Sequence, residues 1–150
     1  MRSITRRLGS LAAVATFTLG FAAAAPAQAD TLVSVRSVPV CEKDTDVFTG
    51  VLVRPGDRVT INTSGTIWAG MWFSGRNDAA GWTQMADGAY PMPHARRYSL
   101  LTHLNGSYKY AGNSADFRHN ALESYLHLRI NDNVPANGDG CFTATVRIWR

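Results

Sequence analysis

Two stretches near the C-terminus alternate apolar and polar residues without a break, and this period of two restricts the chain there to β-strands. In the first, Leu126, Leu128 and Ile130 share one side, with Tyr125, His127 and Arg129 opposite. In the second, Phe142, Ala144, Val146 and Ile148 share one side, with Thr143, Thr145, Arg147 and Trp149 opposite. Successive side chains on a strand point to opposite faces, so each stretch has one face for a core and one for solvent. Arg58-Val59-Thr60-Ile61-Asn62-Thr63 alternates in the same way, and Val47 to Arg54 and Thr66 to Phe73 are rich in β-branched and aromatic residues.

Turn signals separate these runs. Pro55-Gly56-Asp57 follows Val47 to Arg54; Pro presets φ and Gly permits φ > 0. Asn105-Gly106 lies between Ser99 to Leu104 and Tyr108 to Ala111, a strong hairpin signal. After residue 29 no window of helical length has a clean period of 3.6; Ser114 to Ser124 is expected to hold a turn of helix. Short strands punctuated by turns predict an all-β, antiparallel β-sandwich.

The amino terminus reads as a targeting segment. Arg2, Arg6 and Arg7 precede an uncharged run from Leu8 to Ala25, and Ala27-Gln28-Ala29 is a small-x-small cleavage pattern. The run is broken by Ser10, Thr16, Thr18 and Gly20, short of the roughly 20 strongly apolar residues a bilayer demands. The expectation is a secretory signal over residues 1–29, one domain over 30–150, export from the cell and no stable membrane insertion. Three of the 15 basic residues lie in that segment and all 11 acidic ones after it, so the mature part carries a net charge of only +1. Its arginines are scattered and its lysines are Lys43 and Lys109 alone, which argues against nucleic acid as a partner. In an exported chain the two cysteines predict a Cys41–Cys141 disulfide; two free thiols are the alternative.

The irregular region from Ser74 to Arg96 is long for a compact domain, and such loops are often functional. Trp68, Trp72 and Trp82 lie in or beside it, together with Arg76 and Asn77. Indoles can support the apolar face of a sugar ring while polar neighbours read its hydroxyls; equally, such aromatics can be core. If Ile67 faces the core, Trp68 and Trp72 share the other face.

The segments Val51 to Ile61 (VLVRPGDRVTI) with Ser64 to Gly70 (SGTIWAG), and Leu126 to Asp132 (LHLRIND) with Asn137 to Thr143 (NGDGCFT), resemble the small bacterial galactophilic, LecA-like lectins. The resemblance implies a jelly-roll, galactose-binding-like sandwich that binds a galactose-type glycan through calcium. It places Asp132 at the family's coordinating aspartate and Asn137 at the first of two neighbouring asparagines. The second falls on Gly138, the loop is shorter than the family's, and the coordinating threonine has no counterpart. Asp139 is a substitute oxygen donor by inference. Calcium prefers six to eight oxygen ligands, so Asp132, Asn137 and Asp139 form the candidate metal set; Asp132, Trp68, Trp72, Trp82, Arg76 and Asn77 form the candidate sugar set. Asn131, Asp132, Asn137 and Asp139 also read as an Asx-rich turn whose side chains cap their own backbone.

The four histidines show no His-Glu-x-x-His pattern, and no Gly-x-Ser-x-Gly elbow is present. His127 is expected on the outer face of its strand. These readings predict a secreted, non-enzymatic carbohydrate-binding domain. The alternative is a secreted interaction module on the same sandwich, with a secreted or host protein as partner.

Overall fold

The computed structural model describes residues 29–150, and the signal expected over residues 1–29, except for its last residue, lies outside them. Nine strands follow one another: β1 (Leu32–Cys41), β2 (Val47–Val53), β3 (Arg58–Trp68), β4 (Arg76–Asn77), β5 (Leu100–Leu104), β6 (Ser107–Tyr110), β7 (Ser114–Arg118), β8 (Ser124–Ile130) and β9 (Asp139–Trp149). They form two antiparallel sheets. One runs β1-β9-β3, with β7 and β4 sharing the far edge of β3; the other runs β2-β8-β5-β6.

The alternation of the sequence decides which faces meet. Phe142, Ala144, Val146 and Ile148 of β9 and Val59, Ile61 and Ile67 of β3 are buried from one sheet. Leu126, Leu128 and Ile130 of β8, Val51 and Val53 of β2 and Leu100 of β5 are buried from the other. Burial of each such aliphatic side chain contributes about 1.5–3 kcal/mol, which makes this interleaved layer the main stabilising term.

β1 carries Pro39, which has no N–H to donate; the strand lies at the sheet edge, where that loss is tolerated. Its partner is β9, in a register that sets Cys41 opposite Cys141, and the two form the disulfide across 100 positions of chain. Asn105 and Gly106 both have positive φ, 50° and 72°, and turn β5 into β6 with Leu104 opposite Ser107. A two-residue turn of that hand matches the twist of the strands it joins.

Three local expectations are corrected. Ser114 to Arg118 is strand β7, held along β3 from Arg58 to Asn62, where the edge of β3 outweighs any local helical tendency. The runs Arg58 to Thr63 and Thr66 onwards are a single strand, β3, which crosses Ser64-Gly65 because Gly65 takes a φ of 94° against the Cys141 carbonyl. That strand stops at Trp68 and does not reach Phe73.

The long region between β4 and β5 closes on itself through Ala86 N to Ala95 O, Arg97 N to Gln84 O and Trp82 N to Arg97 O. Asn131, fully buried, anchors its base. Its side chain accepts from Met92 N (3.0 Å) and donates to the carbonyls of Met92 (3.0 Å) and Arg96 (3.1 Å).

Candidate functional site

Because Ile67 is buried, Trp68 turns outward at the end of β3. Its cross-strand neighbours are Arg76 on β4 and Asp139 on β9, one on either side. The Arg76 Nη2 donates to Asp139 Oδ1 at 2.7 Å, so an exposed ion pair spans the row in which Trp68 is the middle member. The half-buried indole donates its Nε1–H to Met71 O (3.1 Å), which fixes the ring against the turn that carries Trp72 and Phe73.

The other aromatic residues form a graded chain from solvent to core. Trp72 is 86% exposed and meets Phe73 edge-on at 5.5 Å. Phe73 lies 5.5 Å from Trp82, and Trp82 stacks on buried Tyr98 at 6.2 Å. Trp82 packs against the core cluster, so only its outer part is free, whereas Trp72 is held by almost nothing. The structure thus brings Trp68, Trp72, Trp82 and Arg76 to one end of the sandwich. Asn77 is separated from them in character: it is buried, and its Nδ2 donates to Gly75 O at 3.2 Å, a turn contact.

The residues of the calcium set diverge. Asp139 is turned to Arg76. Asn137 lies over Gly70, where a Cβ would come within 2.6 Å of the Asn137 amide. Gly138 presses on β3 so closely that a Cβ there would overlap the carbonyl oxygen of Trp68, leaving no room for the family's second asparagine side chain. Asp132 points inward, only 3% exposed, with Oδ1 accepting from Val134 N at 3.0 Å. The carboxyl of Glu42 is 1% exposed, and Glu42 Oε1 and Oε2, like Asp132 Oδ2, are buried without a hydrogen-bond partner. Burial raises the Asp132 carboxyl above its ordinary value, against the opposing pull of the Val134 and Asn133 N–H groups. Among the described residues no group of three His, Cys, Asp or Glu side chains is arranged to hold a metal ion. Of the expected set, Asp139 pairs with Arg76, Asn137 lies against Gly70, and Asp132 is buried with Oδ2 free of any hydrogen-bond partner.

Glu42 is a residue that sequence reading missed. Nothing local marks it; only the antiparallel register of β1 with β9 carries it to the start of β9, where its N–H donates to Gly140 O at 3.0 Å. A cleft of about 240 Å³ opens beside it, lined by Cys41 to Lys43 and Gly138 to Cys141. A second missed cluster lies on the outer face of the other sheet. His127 faces outward as expected, directly opposite His103, and Asp46 Oδ2 lies 3.0 Å and 3.5 Å from their Nδ1 atoms.

These features define an all-β, two-sheet antiparallel sandwich, consistent with a jelly-roll or galactose-binding-like fold. Among solved structures the chain is similar to one described as the EclA N-terminal domain, a PllA-like lectin. The TM-score is 0.61 at 24% identity, covering 78% of this chain and 97% of that one, a likeness of fold. No family model matches the chain, and no curated protein matches it. Among the described residues no helix is long and apolar enough to cross a membrane.

Proposed function

We propose that this chain is a secreted carbohydrate-binding domain whose sugar contacts lie at the Trp68–Trp72 end of the sandwich. The observation that carries this reading is Trp72, 86% exposed, on the turn that the Trp68 indole braces, beside the Arg76–Asp139 ion pair. A solvated indole face gives an apolar support for the C–H side of a pyranose. The guanidinium and carboxylate beside it offer donors and acceptors to hydroxyl groups, with Trp82 and Phe73 as a wall. The lectin-like sandwich and the secretory pattern of residues 1–29 support the same reading. The resemblance of the sequence points first to galactose-type glycans, and the divergence of Asp132, Asn137 and Asp139 favours binding without a bridging calcium. A glycan array probed with the mature protein, with and without EDTA, tests it. Signal on one sugar class that Trp72→Ala removes is the expected result; silence on every class under both conditions ends the proposal.

One observation favours a second reading, a secreted protein-interaction module. Trp72 and Phe73 are both more than half exposed, and exposed aromatic clusters commonly anchor protein interfaces. A single stoichiometric partner recovered by the wild-type domain and lost with Trp72→Ala, together with a blank array, would select this reading over the first.

A further inference from the structure

We infer that His103 and His127, opposite each other on the outer face of the β2-β8-β5-β6 sheet, form a two-imidazole site for a divalent transition-metal ion of the copper, nickel or zinc kind. The site lies on β5 and β8 of one sheet, whereas Trp68 ends β3 of the other, so the inference stands independently of the sugar reading.

Register builds the pair. Phe48 is opposite His127, His127 opposite His103 and His103 opposite Tyr108, so four strands each give one ring to a row across the sheet. The imidazoles are its middle members, with centroids 6.0 Å apart. Phe48 meets His127 edge-on at 5.3 Å, and Tyr108 stacks on His103 at 4.4 Å. Flanked in this way, neither ring has much rotamer freedom left to lose on binding.

The two nitrogens of each ring have different surroundings. Both Nδ1 atoms are buried, and Asp46 Oδ2 lies 3.0 Å from that of His127 and 3.5 Å from that of His103. Neither contact has hydrogen-bond geometry, but a lone pair on either Nδ1 would face a negative oxygen. The neutral ring therefore keeps its proton on Nδ1 and its lone pair on Nε2. A carboxylate beside the other ring nitrogen is what commonly fixes the tautomer and orientation of a metal-binding histidine. Asp46 also offsets part of the charge of an incoming cation. Both imidazoles line a cleft of about 280 Å³ with Asn105, Gly106, Ser124 and Tyr125, which has room for an ion and its waters.

Imidazole suits copper, nickel and zinc, whereas calcium seeks oxygen. Two ring nitrogens each about 2.0–2.1 Å from one ion set the ring centroids about 5–6 Å apart, so side-chain rotation alone closes this pair on an ion. Among the described residues no group of three His, Cys, Asp or Glu side chains is placed to hold an ion, so solvent completes the shell and the ion exchanges freely. Affinity then follows the intrinsic order of the metals, with Cu²⁺ above Ni²⁺ and Zn²⁺.

The test uses the mature, disulfide-intact domain without an affinity tag. CuSO₄, NiCl₂ and ZnCl₂ are titrated into it calorimetrically. The expected result is one saturable site per chain, tightest for Cu²⁺ and reversed by EDTA. His103→Ala or His127→Ala removes one of the two protein ligands and is expected to lower Cu²⁺ affinity by more than about tenfold. Asp46→Asn is expected to weaken binding by about tenfold or more through the orientation of the rings; unchanged affinity overturns that role. Absence of a saturable site for all three metals overturns the inference, as does a site that survives the double change of both histidines. Nitrogen-15 NMR of the imidazoles during the ZnCl₂ titration needs no variant to fold. Perturbation centred on Nε2 of His103 and His127 supports the inference, and perturbation confined to His94 or His119 overturns it.

Discussion

The guanidinium of Arg150 forks onto the buried carboxylate of Asp57, with Nε 2.8 Å from Oδ1 and Nη2 3.1 Å from Oδ2. Asp57 Oδ2 also accepts from Arg54 N at 2.9 Å, and the Asp57 carbonyl accepts from His119 N at 2.8 Å. One residue of the β2–β3 turn thus gathers the end of β9, the end of β2 and the segment after β7.

That contact sets an acid limb of stability. Burial alone would raise the Asp57 carboxyl, but the Arg150 guanidinium and the Arg54 N–H outweigh it and hold the group below its ordinary value of 3.8. A carboxylate depressed in the folded state stabilises fully above its unfolded value and loses that contribution as pH falls through the folded one. Stability should therefore decline as the pH drops below about 4. Asp57→Asn should flatten this part of the profile and lower stability at pH 7 by about 1.5–3 kcal/mol, the range for hydrogen bonds to a charged group. Urea unfolding of both proteins at several pH values checks the sign; equal slopes would remove Asp57 from the account.

The disulfide restrains the strand least well supported by packing. β1 is an edge strand whose first half exposes Leu32, Val33 and Val35. Reduction, or the double change Cys41→Ser and Cys141→Ser, should cost about 2–4 kcal/mol by releasing a long closed loop in the unfolded chain. Chemical denaturation with and without reductant measures it.

Two tryptophans of the same aromatic chain should respond oppositely. Trp72→Ala removes a side chain that is 86% exposed and should change stability by less than about 0.5 kcal/mol. If it carries the sugar contact, glycan affinity should fall at least about tenfold, or roughly 1.4 kcal/mol. Trp82→Ala empties a position packed on Tyr98 and the core and should cost about 2–4 kcal/mol. Paired melts and glycan titrations separate the two effects; equal loss of stability would mean that Trp72 is structural.

Gly138 and Gly88 form a matched test of the close backbone approach. A Cβ at Gly138 has no space against Trp68 O, while one at Gly88 meets nothing within 4 Å. Gly138→Ala should force the β8–β9 connection off β3 and destabilise by about 2 kcal/mol or more, in the manner of an overpacked core. Gly88→Ala should be nearly neutral. Comparable melting temperatures for the two variants would contradict the tight seating of that connection.

The alternation of Leu126 to Ile130 and of Phe142 to Ile148 was legible because a strand assigns faces by parity alone, whatever its partner. The Asn105-Gly106 turn and the Cys41–Cys141 pairing were legible for similarly local reasons, a dipeptide suited to positive φ and a count of two. Strand β1 escaped notice because Ser34, Arg36, Ser37 and Pro39 dilute its pattern; it is a strand because β9 offers an edge, not because its own residues insist on it. The fate of each carboxylate was decided by tertiary structure. Asp139 meets Arg76 only because β3 lies between their strands, and Glu42 is buried beside Gly140 only because β1 pairs with β9. Periodicity reports which side of a strand a residue occupies. The partner waiting on that side is set by register between distant segments, and that register is fixed only when the two sheets close over a common core.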